Sequence, residues 1–447
     1  MLEDPVIKVL PFVAVPMIIS MLIDSFYNIA DAYFVSQLGK AATAAVGVND
    51  ALSHFIRSVA MGFGIGASSY ISRLMGAKRE DEASRVGTTT MFTAMLTLFF
   101  LAAAVLIFVD PLVMFLGSTA SAKQYSIDYA RFILLAAPFT AGEVVLAQIL
   151  RAEGSTRYSM LGMVSGCVVN VGLDPICISV FGLGVSGAAI ATAISKVVSF
   201  SILLSPFLRG KTLLELKLRF FTPKREIYAE VAKMGIPAFL RSSMLSFATA
   251  ITNNVAGSFS DSALAASSVA NRCTKLVSSA IQGFGQGFQP IAGYCWGAKR
   301  YKRVREAFWI CSAIGAAAGI ILGSIMLIFA PKLVSVFAAG DADTIAIGSL
   351  MIRSQCVTMV FHIWVIVANG LFQALGRGII AGVLGLSRQL ICFVPCLLVM
   401  SALFGVNGLA LAQAVADLFC VMIALPLVVK FMKELGQLQE KIQMKET

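Results

Sequence analysis

Apolar runs of membrane-spanning length recur along nearly the whole chain and exclude an ordinary soluble fold. A helix needs about 20 apolar residues to cross a bilayer. The 447-residue sequence holds twelve such runs, near residues 6–33, 42–70, 86–110, 124–148, 157–181, 186–208, 230–257, 264–293, 306–330, 343–371, 378–403 and 407–431. Charged residues make up only 13% of the chain, about half of the roughly 25% typical of soluble domains. We therefore predict an all-α polytopic membrane protein with twelve transmembrane helices.

Basic residues alternate between the connections of these runs. Connections after even-numbered runs are rich in Lys and Arg, as at Lys78 and Arg79, whereas those after odd-numbered runs hold few. The positive-inside rule then places both termini in the cytoplasm of a protein of the cytoplasmic (inner) membrane. The same loops account for the formal net charge of +11, so we expect no nucleic-acid partner. Because Glu3 and Asp4 stand where a signal peptide would be basic, we expect no cleaved signal.

The two halves of the sequence repeat each other at one fixed spacing, the repeat offset, which relates position 62 to position 283. Three segments recur in register: Gly62–Gly66 as Gly283–Gly287, Gly76–Arg79 as Gly297–Arg300, and Gly184–Gly187 as Gly405–Gly408. Each half holds six runs, an even number, so the repeats are parallel, and such transporters carry substrate between their halves. We predict an N-terminal lobe at 1–208, a cytoplasmic linker at 209–229, a C-terminal lobe at 230–433 and a cytoplasmic tail at 434–447.

The repeated glycines have two interpretations. Small residues let membrane helices approach each other closely, and glycine also lets a ligand approach the backbone. We favour packing for the six glycines of the Gly-Phe-Gly-x-Gly segments.

Four polar side chains share one face of the first span. Asp24, Tyr27, Asn28 and Asp31 are spaced i, i+3, i+4 and i+7, which brings them to one side of a helix. An ionised carboxylate at this depth costs about 2.5–3.5 kcal/mol on insertion scales. We therefore expect this face to line a water-filled cavity that binds an ion, a proton or a substrate. Pro16, about two turns earlier, is either a simple kink or a hinge.

A second polar group lies in the fifth span. Asn170 and Asp174 are one turn apart on one face, and Pro175 weakens the helix beside the carboxylate. With Asp31 they offer only oxygen ligands and ionisable groups, which suit a proton or Na⁺. Thr192 and Tyr129 are candidates to complete this site. The alternative is a satisfied polar cluster that fixes helix packing.

The second half does not copy this acidic site. Its intramembrane charges are mostly basic: Arg241, Arg272, Lys275, Arg353 and Arg388. We expect some of them to extend to the membrane boundary. Asp417 is an isolated acid that we place at a helix-packing seam.

Taken together, these residues resemble the multidrug and toxic compound extrusion (MATE) family, and within it the DinF-like and MepA-like branches. The resemblance covers nearly the whole chain. It is carried by Tyr27–Ser36, Arg151-Ala152-Glu153-Gly154, Asn170–Pro175 and the paired Gly-Ala-Lys-Arg turns.

The resemblance implies two six-helix lobes in a V shape and export of organic compounds in exchange for H⁺ or Na⁺. It assigns the coupling ion to Asp31, Asn170, Asp174 and Thr192, with Asp24, Tyr27, Asn28 and Tyr129 at the substrate cavity and Pro16 at the bend of the first helix. Two positions depart from relatives: Asp24 stands where a neutral amide is common, and Arg241 lies in a region where many members carry an acid.

We accordingly expect a monomeric secondary antiporter that takes small organic substrates, cationic and amphipathic in character, and touches membrane lipids, with no cofactor beyond the coupling ion. The alternative within the same superfamily is a flippase for lipid-linked saccharides, whose pyrophosphate would need basic residues such as Arg241, Arg272 and Arg388. No zinc-protease, serine-hydrolase or phosphate-loop motif is present in the sequence, so we do not expect an enzyme.

Overall fold

The structure is a computed structural model that describes residues 4–119, 122–337 and 341–446. Some helical side chains lie outside this description: those of residues 28, 29, 31–33 and 36 near the C-terminal end of the first helix, of residue 40 at the start of the second, and of residues 442, 443, 445 and 446 in the tail.

Within the described residues the chain is helical and contains no strand. The helices are α1 (Val6–Ser36), α2 (Lys40–Gly76), α3 (Glu80–Ile107), α4 (Val109–Phe115), α5 (Lys123–Ala152), α6 (Thr156–Pro175), α7 (Gly184–Leu208), α8 (Arg225–Phe259), α9 (Asp261–Gly297), α10 (Tyr301–Ser335), α11 (Ala342–Ala374), α12 (Gly378–Leu386) and α13 (Phe393–Glu446). Two π-helical turns, Ile176–Val180 and Ser387–Ile391, follow α6 and α12.

The twelve predicted runs are all found in helices, and the all-α fold class is confirmed. The last two runs are separated by Gly405, whose φ of 59° interrupts α13. Nine stretches of the described chain are long and apolar enough to cross a membrane, and one of them, Gly378–Lys441, contains both of these last runs. The glycine-rich helices α2 and α9 fall outside the nine because glycine, serine and basic residues dilute their apolar content.

Contacts divide the chain into two compact units that do not follow the linear halves. One unit comprises residues 19–239, and the other comprises residues 1–18 and 240–447. Helices α1 and α8 therefore each pass from one unit to the other, after Ile18 and after Phe239. These two points are separated by the repeat offset, and each follows a proline inside the helix, Pro16 and Pro237, at the same spacing. The predicted lobe boundaries at 208 and 230 mark the repeat in sequence and stay a prediction.

The repeated glycines make this division possible. In the unit of residues 19–239, the first part of α8 packs closely against α2: a Cβ built on Gly62 would lie 3.2 Å from the carbonyl oxygen of Gly235. In the other unit, the first part of α1 packs closely against α9. There a Cβ on Gly283 would lie 2.7 Å from Ile18 Cα, and one on Gly287 would lie 2.6 Å from Ala14 Cα. The packing interpretation is confirmed, because these positions face backbone rather than open space.

The turns of the two repeats match in backbone detail. Lys78 and Lys299, at equivalent positions of the Gly-Ala-Lys-Arg turns, both have positive φ, 59° and 58°. Gly184 and Gly405 are likewise equivalent and have φ of 55° and 59°. Residues other than glycine rarely adopt positive φ. The shared positive φ of Lys78 and Lys299 therefore supports duplication of a six-helix unit.

The linker between the repeats packs against the end of α5 within one unit. Glu153, just after α5, is 5% exposed, and its carboxylate accepts a hydrogen bond from the backbone N–H of Leu214 at 3.3 Å. Ser84 Oγ accepts from the backbone N–H of Glu215 at 3.1 Å, one residue further on. Burial raises the pKa of Glu153 to about 7, and the hydrogen bonds it accepts offset only part of that rise.

We expect Gly287→Ala to destabilise the protein, because its Cβ would meet the backbone of α1 at Ala14. Overpacking of this kind costs about 1–3 kcal/mol. Gly172→Ala is the matched control, since nothing lies within 4 Å of a Cβ built there and alanine favours a helix. Thermal unfolding in detergent should show a lower Tm for Gly287→Ala alone; an equal Tm for both variants would contradict the packing argument.

Glu153 should make the protein less stable as pH rises. In the unfolded chain this carboxyl ionises near 4.5, whereas in the folded protein it holds its proton to about 7. The folded state therefore loses stability between these values, by at most about 3 kcal/mol. Glu153→Gln keeps an acceptor for Leu214 and should flatten the Tm between pH 5 and pH 8. The control, Glu215→Gln at an exposed position, should leave the wild-type slope intact.

Candidate functional site

Three predicted site residues meet between α6 and α7. Asn170 and Asp174 are both fully buried, and Thr192 is 8% exposed. With the amide oriented by its neighbours, Asn170 Nδ2 donates to Asp174 Oδ2 at 2.9 Å. Its Oδ1 accepts from the hydroxyl and the backbone N–H of Thr192, each at 3.2 Å. The structure thus assembles a buried carboxylate, an amide and a hydroxyl into one hydrogen-bonded group.

A break in helical regularity accompanies this group. Asp174 is followed by Pro175 and the π-helical turn Ile176–Val180, and such turns are frequent at functional sites. Gly187 on α7 makes room for this turn, since a Cβ there would lie 2.6 Å from the carbonyl oxygen of Cys177. The expected weakening of the helix beside the carboxylate is confirmed.

The remaining predicted residues are distributed along α1 and α5. Tyr129 is buried on α5, and Tyr27 is half-buried on α1. The side chains of Asn28 and Asp31 lie outside the described residues, so their predicted roles stay predictions. Pro16 is buried inside α1, in the other unit.

Asp24 has a partner that the sequence analysis missed. Arg57 on α2 binds it with both terminal guanidinium nitrogens, Nη1 to Oδ1 at 3.2 Å and Nη2 to Oδ2 at 3.1 Å. The side chains are 37% and 22% exposed for Arg57 and Asp24. This bidentate geometry is the strongest form of carboxylate pairing. Asp24 is therefore paired with a fixed charge, and its predicted place at the substrate cavity stays a prediction.

A second ion pair, also unpredicted, joins α5 to α7. Lys196 Nζ lies 3.0 Å from Glu143 Oε2, and Ser199 Oγ donates to Glu143 Oε1 at 2.9 Å. Glu143 is 7% exposed. Lys196 is one turn from Thr192 on α7, so the pair lies close to the Asn170–Asp174 group along the helix. Spacing along the chain cannot reveal such a pair, because its two members lie on different helices.

Arg151, in the Arg151-Ala152-Glu153-Gly154 segment, is also buried. Its Nε donates to Ser159 Oγ at 3.1 Å on α6. The segment therefore ties the end of α5 to the start of α6, which holds the helix of Asn170 in place.

The C-terminal unit has a related ion pair of different composition. Asp417 on α13 accepts from Arg388 Nε at 2.9 Å and from Gln413 Nε2 at 3.1 Å. Asp417 is 2% exposed. At the repeat offset it corresponds to Lys196, and Gln413 corresponds to Thr192. Both units thus place a charged residue at the same position of the equivalent helix, but with opposite sign.

These contacts correct one expectation, because Asp417 is not isolated. Arg388 points to this buried carboxylate, so it is not one of the basic residues expected to extend to the membrane boundary. Arg241 is different: among the described residues it forms no ion pair, and its side chain packs near Gly385.

Comparison with known families settles the class of protein. The MatE family model matches residues 16–176 and 237–398, which begin one repeat offset apart at Pro16 and Pro237. The chain belongs to the MatE family. The resemblance inferred from its motifs is confirmed.

Relatives of this MatE protein align over nearly its full length. It is 27% identical to the multidrug export protein MepA of Staphylococcus aureus (strain MSSA476), over 95% of this chain and 94% of the relative. Among solved structures, it is similar to an outward-facing multidrug resistance MATE family transporter of the MOP superfamily, with TM-score 0.93, 26% identity and coverage of 97% and 98%.

It is also similar to a MOP superfamily transporter from Pyrococcus furiosus Vc1 (DSM3638), described as having reverse polarity of the binding pocket that suggests a different function. That match has TM-score 0.91, 26% identity and coverage of 97% of both chains. The all-helical, multi-pass membrane character of this MatE protein is therefore shared with solved transporters.

The Glu143–Lys196 pair gives a direct test of the site's electrostatics. Lys196→Met should leave Glu143 buried without its counter-charge and destabilise the protein, by about 3–5 kcal/mol for a fully buried pair and less here. Glu143→Gln/Lys196→Met removes both charges and should recover most of the loss. Thermal unfolding of the two single variants and the double variant measures this coupling; additive losses would show that the pair contributes nothing as a pair.

Proposed function

We propose that this MatE protein is a secondary antiporter of the cytoplasmic membrane that exports amphipathic organic compounds in exchange for an ion bound at Asp174. The observation that carries the proposal is the fully buried Asp174 carboxyl held by Asn170 beside Thr192. A buried carboxyl inside a membrane is costly and marks an ion or proton pathway. The name of its relative MepA, a multidrug export protein, supports export of organic compounds.

The orientation assigned to the Asn170 amide from its hydrogen-bond partners favours a proton over Na⁺. Asn170 turns its N–H group to the carboxylate, and its oxygen is engaged by Thr192. Na⁺ would need oxygen ligands, so the amide would have to rotate by half a turn to offer one. A proton can bind Asp174 without that rotation. We therefore propose H⁺ as the coupling ion, with Na⁺ at Asp31, Asn170 and Asp174 as the alternative.

Charge pairing explains how ion and substrate can exclude each other. Asp24 and Glu143 are already neutralised by Arg57 and Lys196. An ionised Asp174, together with the predicted Asp31, then carries the net negative charge that attracts a cationic substrate, and protonation removes that charge. Proton binding and binding of a cationic substrate are therefore linked antagonistically, as antiport requires. The membrane potential contributes about 2.3 kcal/mol per charge for each 100 mV.

The basic residues of the C-terminal unit favour a second candidate, transport of a lipid-linked saccharide. Arg241 and Arg272 form no ion pair among the described residues, whereas Arg388 is neutralised by Asp417. A pyrophosphate site would therefore depend on Arg241 and Arg272. The reverse pocket polarity named for the Pyrococcus furiosus relative is consistent with a different substrate charge.

The distribution of basic loops supports a cytoplasmic position for both termini, and we propose that the chain works as a monomer with small organic molecules as substrates. Since transport needs no covalent step, we propose no enzymatic activity.

We expect Asp174→Asn to abolish gradient-driven transport while leaving the fold intact, because asparagine keeps the shape of the side chain but cannot exchange a proton. In proteoliposomes with an imposed pH gradient, uptake of a cationic dye should fall to the level of empty vesicles. Asp174→Glu should retain part of the activity, and Asp343→Asn, at an exposed position, should retain all of it.

Three outcomes would contradict parts of the proposal. Full pH-driven uptake by Asp174→Asn would exclude the assigned site. Uptake driven by a sodium gradient alone, lost in the same variant, would keep the site but replace H⁺ by Na⁺. Gradient-independent movement of a saccharide lipid would favour the second candidate.

A further inference from the structure

The second Gly-Ala-Lys-Arg turn, between α9 and α10, forms a basic cavity that plays no part in the proposed transport cycle. The cavity has a volume of about 420 Å³ and is lined by Lys299, Arg300, Lys302 and Arg303, with Glu306 and Gln439. An adjoining cavity of about 430 Å³ shares Lys302 and adds Arg305 and Trp309. Five cations thus line the two adjoining cavities, with a single carboxylate, that of Glu306, among the described lining residues.

The other repeat shows that this charge is not a requirement of the fold. Residues 78–85, at the equivalent turn between α2 and α3, contain three basic and three acidic residues. Residues 299–306 contain five basic residues and one acidic residue. The turns have the same backbone, including the positive φ of Lys78 and Lys299. The positive-inside rule is satisfied by the Lys and Arg that both turns share, so the additional cations need another explanation.

Helix electrostatics makes the additional cations unfavourable in the described structure alone. The first turn of α3 begins with Glu80, Asp81 and Glu82, which suit the positive end of a helix dipole. Their equivalents at the start of α10 are Tyr301, Lys302 and Arg303. Arg303 donates to the backbone carbonyl of Asp4, but Lys302 and Arg305 form no ion pair among the described residues. An anion in the cavity would stabilise both the helix end and these side chains.

The surroundings of the cavity favour a lipid over a soluble anion. Lys302 and Trp309 are seven residues apart on one face of α10, and Trp309 is 53% exposed, as in the aromatic belts at membrane interfaces. The same face continues with Ile320 and Ile328, which are 59% and 68% exposed. A headgroup in the cavity would therefore place its acyl chains along an exposed apolar helix face.

We infer that the two adjoining cavities at the start of α10, lined by Lys299, Arg300, Lys302, Arg303 and Arg305, form a binding site for the headgroup of an anionic glycerophospholipid. Phosphate oxygens would accept hydrogen bonds from the Lys and Arg side chains, and Trp309 would lie at the level of the glycerol backbone. Basic recesses beside membrane helices bind such headgroups through these contacts.

The test uses the full-length protein in phosphatidylcholine nanodiscs with increasing phosphatidylglycerol, and native mass spectrometry of the lipid that stays bound. Wild type should retain one phosphatidylglycerol. Lys302→Asp/Arg305→Glu should bind it at least about tenfold more weakly, because two attractive charges become repulsive. The control Lys211→Asp/Arg85→Glu makes the same change in net charge at exposed positions elsewhere and should bind phosphatidylglycerol as wild type does.

A Tm in phosphatidylcholine alone checks that the cavity variant folds, and it should equal that of the control. Two results would overturn the inference. If both variants retain phosphatidylglycerol as wild type does, the cavity is not the binding site. If both lose it equally, binding depends only on the general surface charge. Complete displacement of the lipid by millimolar glycerophosphate would overturn the assignment to a lipid. These measurements do not involve dye transport, so failure of the lipid inference would not count against the proposed antiport, which is tested separately.

Discussion

Close backbone contact at the repeated glycines is the constraint on which the rest of the architecture depends. Between apolar helices in lipid, association comes from packing and not from the hydrophobic effect. The glycines of α2 and α9 allow the first parts of α8 and α1 to approach to backbone distance. Each of these crossing helices leaves one unit and enters the other just after a proline. Because these glycines lack side chains, close backbone packing can hold α1 and α8 in place, and no polar contact within the hydrocarbon is needed for that purpose.

Close helix packing brings oppositely charged side chains together inside the membrane-spanning region, where an unpaired charge would be energetically costly. In the unit of residues 19–239, two ion pairs bridge different helices, Asp24 to Arg57 and Glu143 to Lys196. Such pairs help to fix the relative position of the helices, because separating a partly buried pair leaves charges that are less well compensated, most of all at Glu143. Asp174 differs from these acids because it accepts a hydrogen bond from the neutral amide of Asn170. That contact can persist when the carboxyl gains or loses a proton, whereas protonation of Asp24 or Glu143 would break an ion pair.

Local patterns in the sequence predicted the fold and only part of the site. Apolar runs predicted the helices, and the repeat offset predicted the duplication, because both depend on spacing along the chain. The Asn170–Asp174 pair was predictable for the same reason, since the two residues are one turn apart. Arg57 and Glu143 were missed because their partners are 33 and 53 residues away, and no periodicity relates them. The passage of α1 and α8 between units was also hidden, although Pro16 and Pro237 share the repeat offset.

The duplicated backbone separates what the fold requires from what this protein does. Features kept at the repeat offset are those of geometry: the glycines, the prolines of the crossing helices, and the positive φ of Lys78 and Lys299. Features that differ are charges: Lys196 against Asp417, and the acidic start of α3 against the basic start of α10. Because two copies of one backbone tolerate either sign at these positions, packing cannot have dictated the sign. At the first of these positions the sign follows the partner that each unit supplies, Glu143 for Lys196 and Arg388 for Asp417.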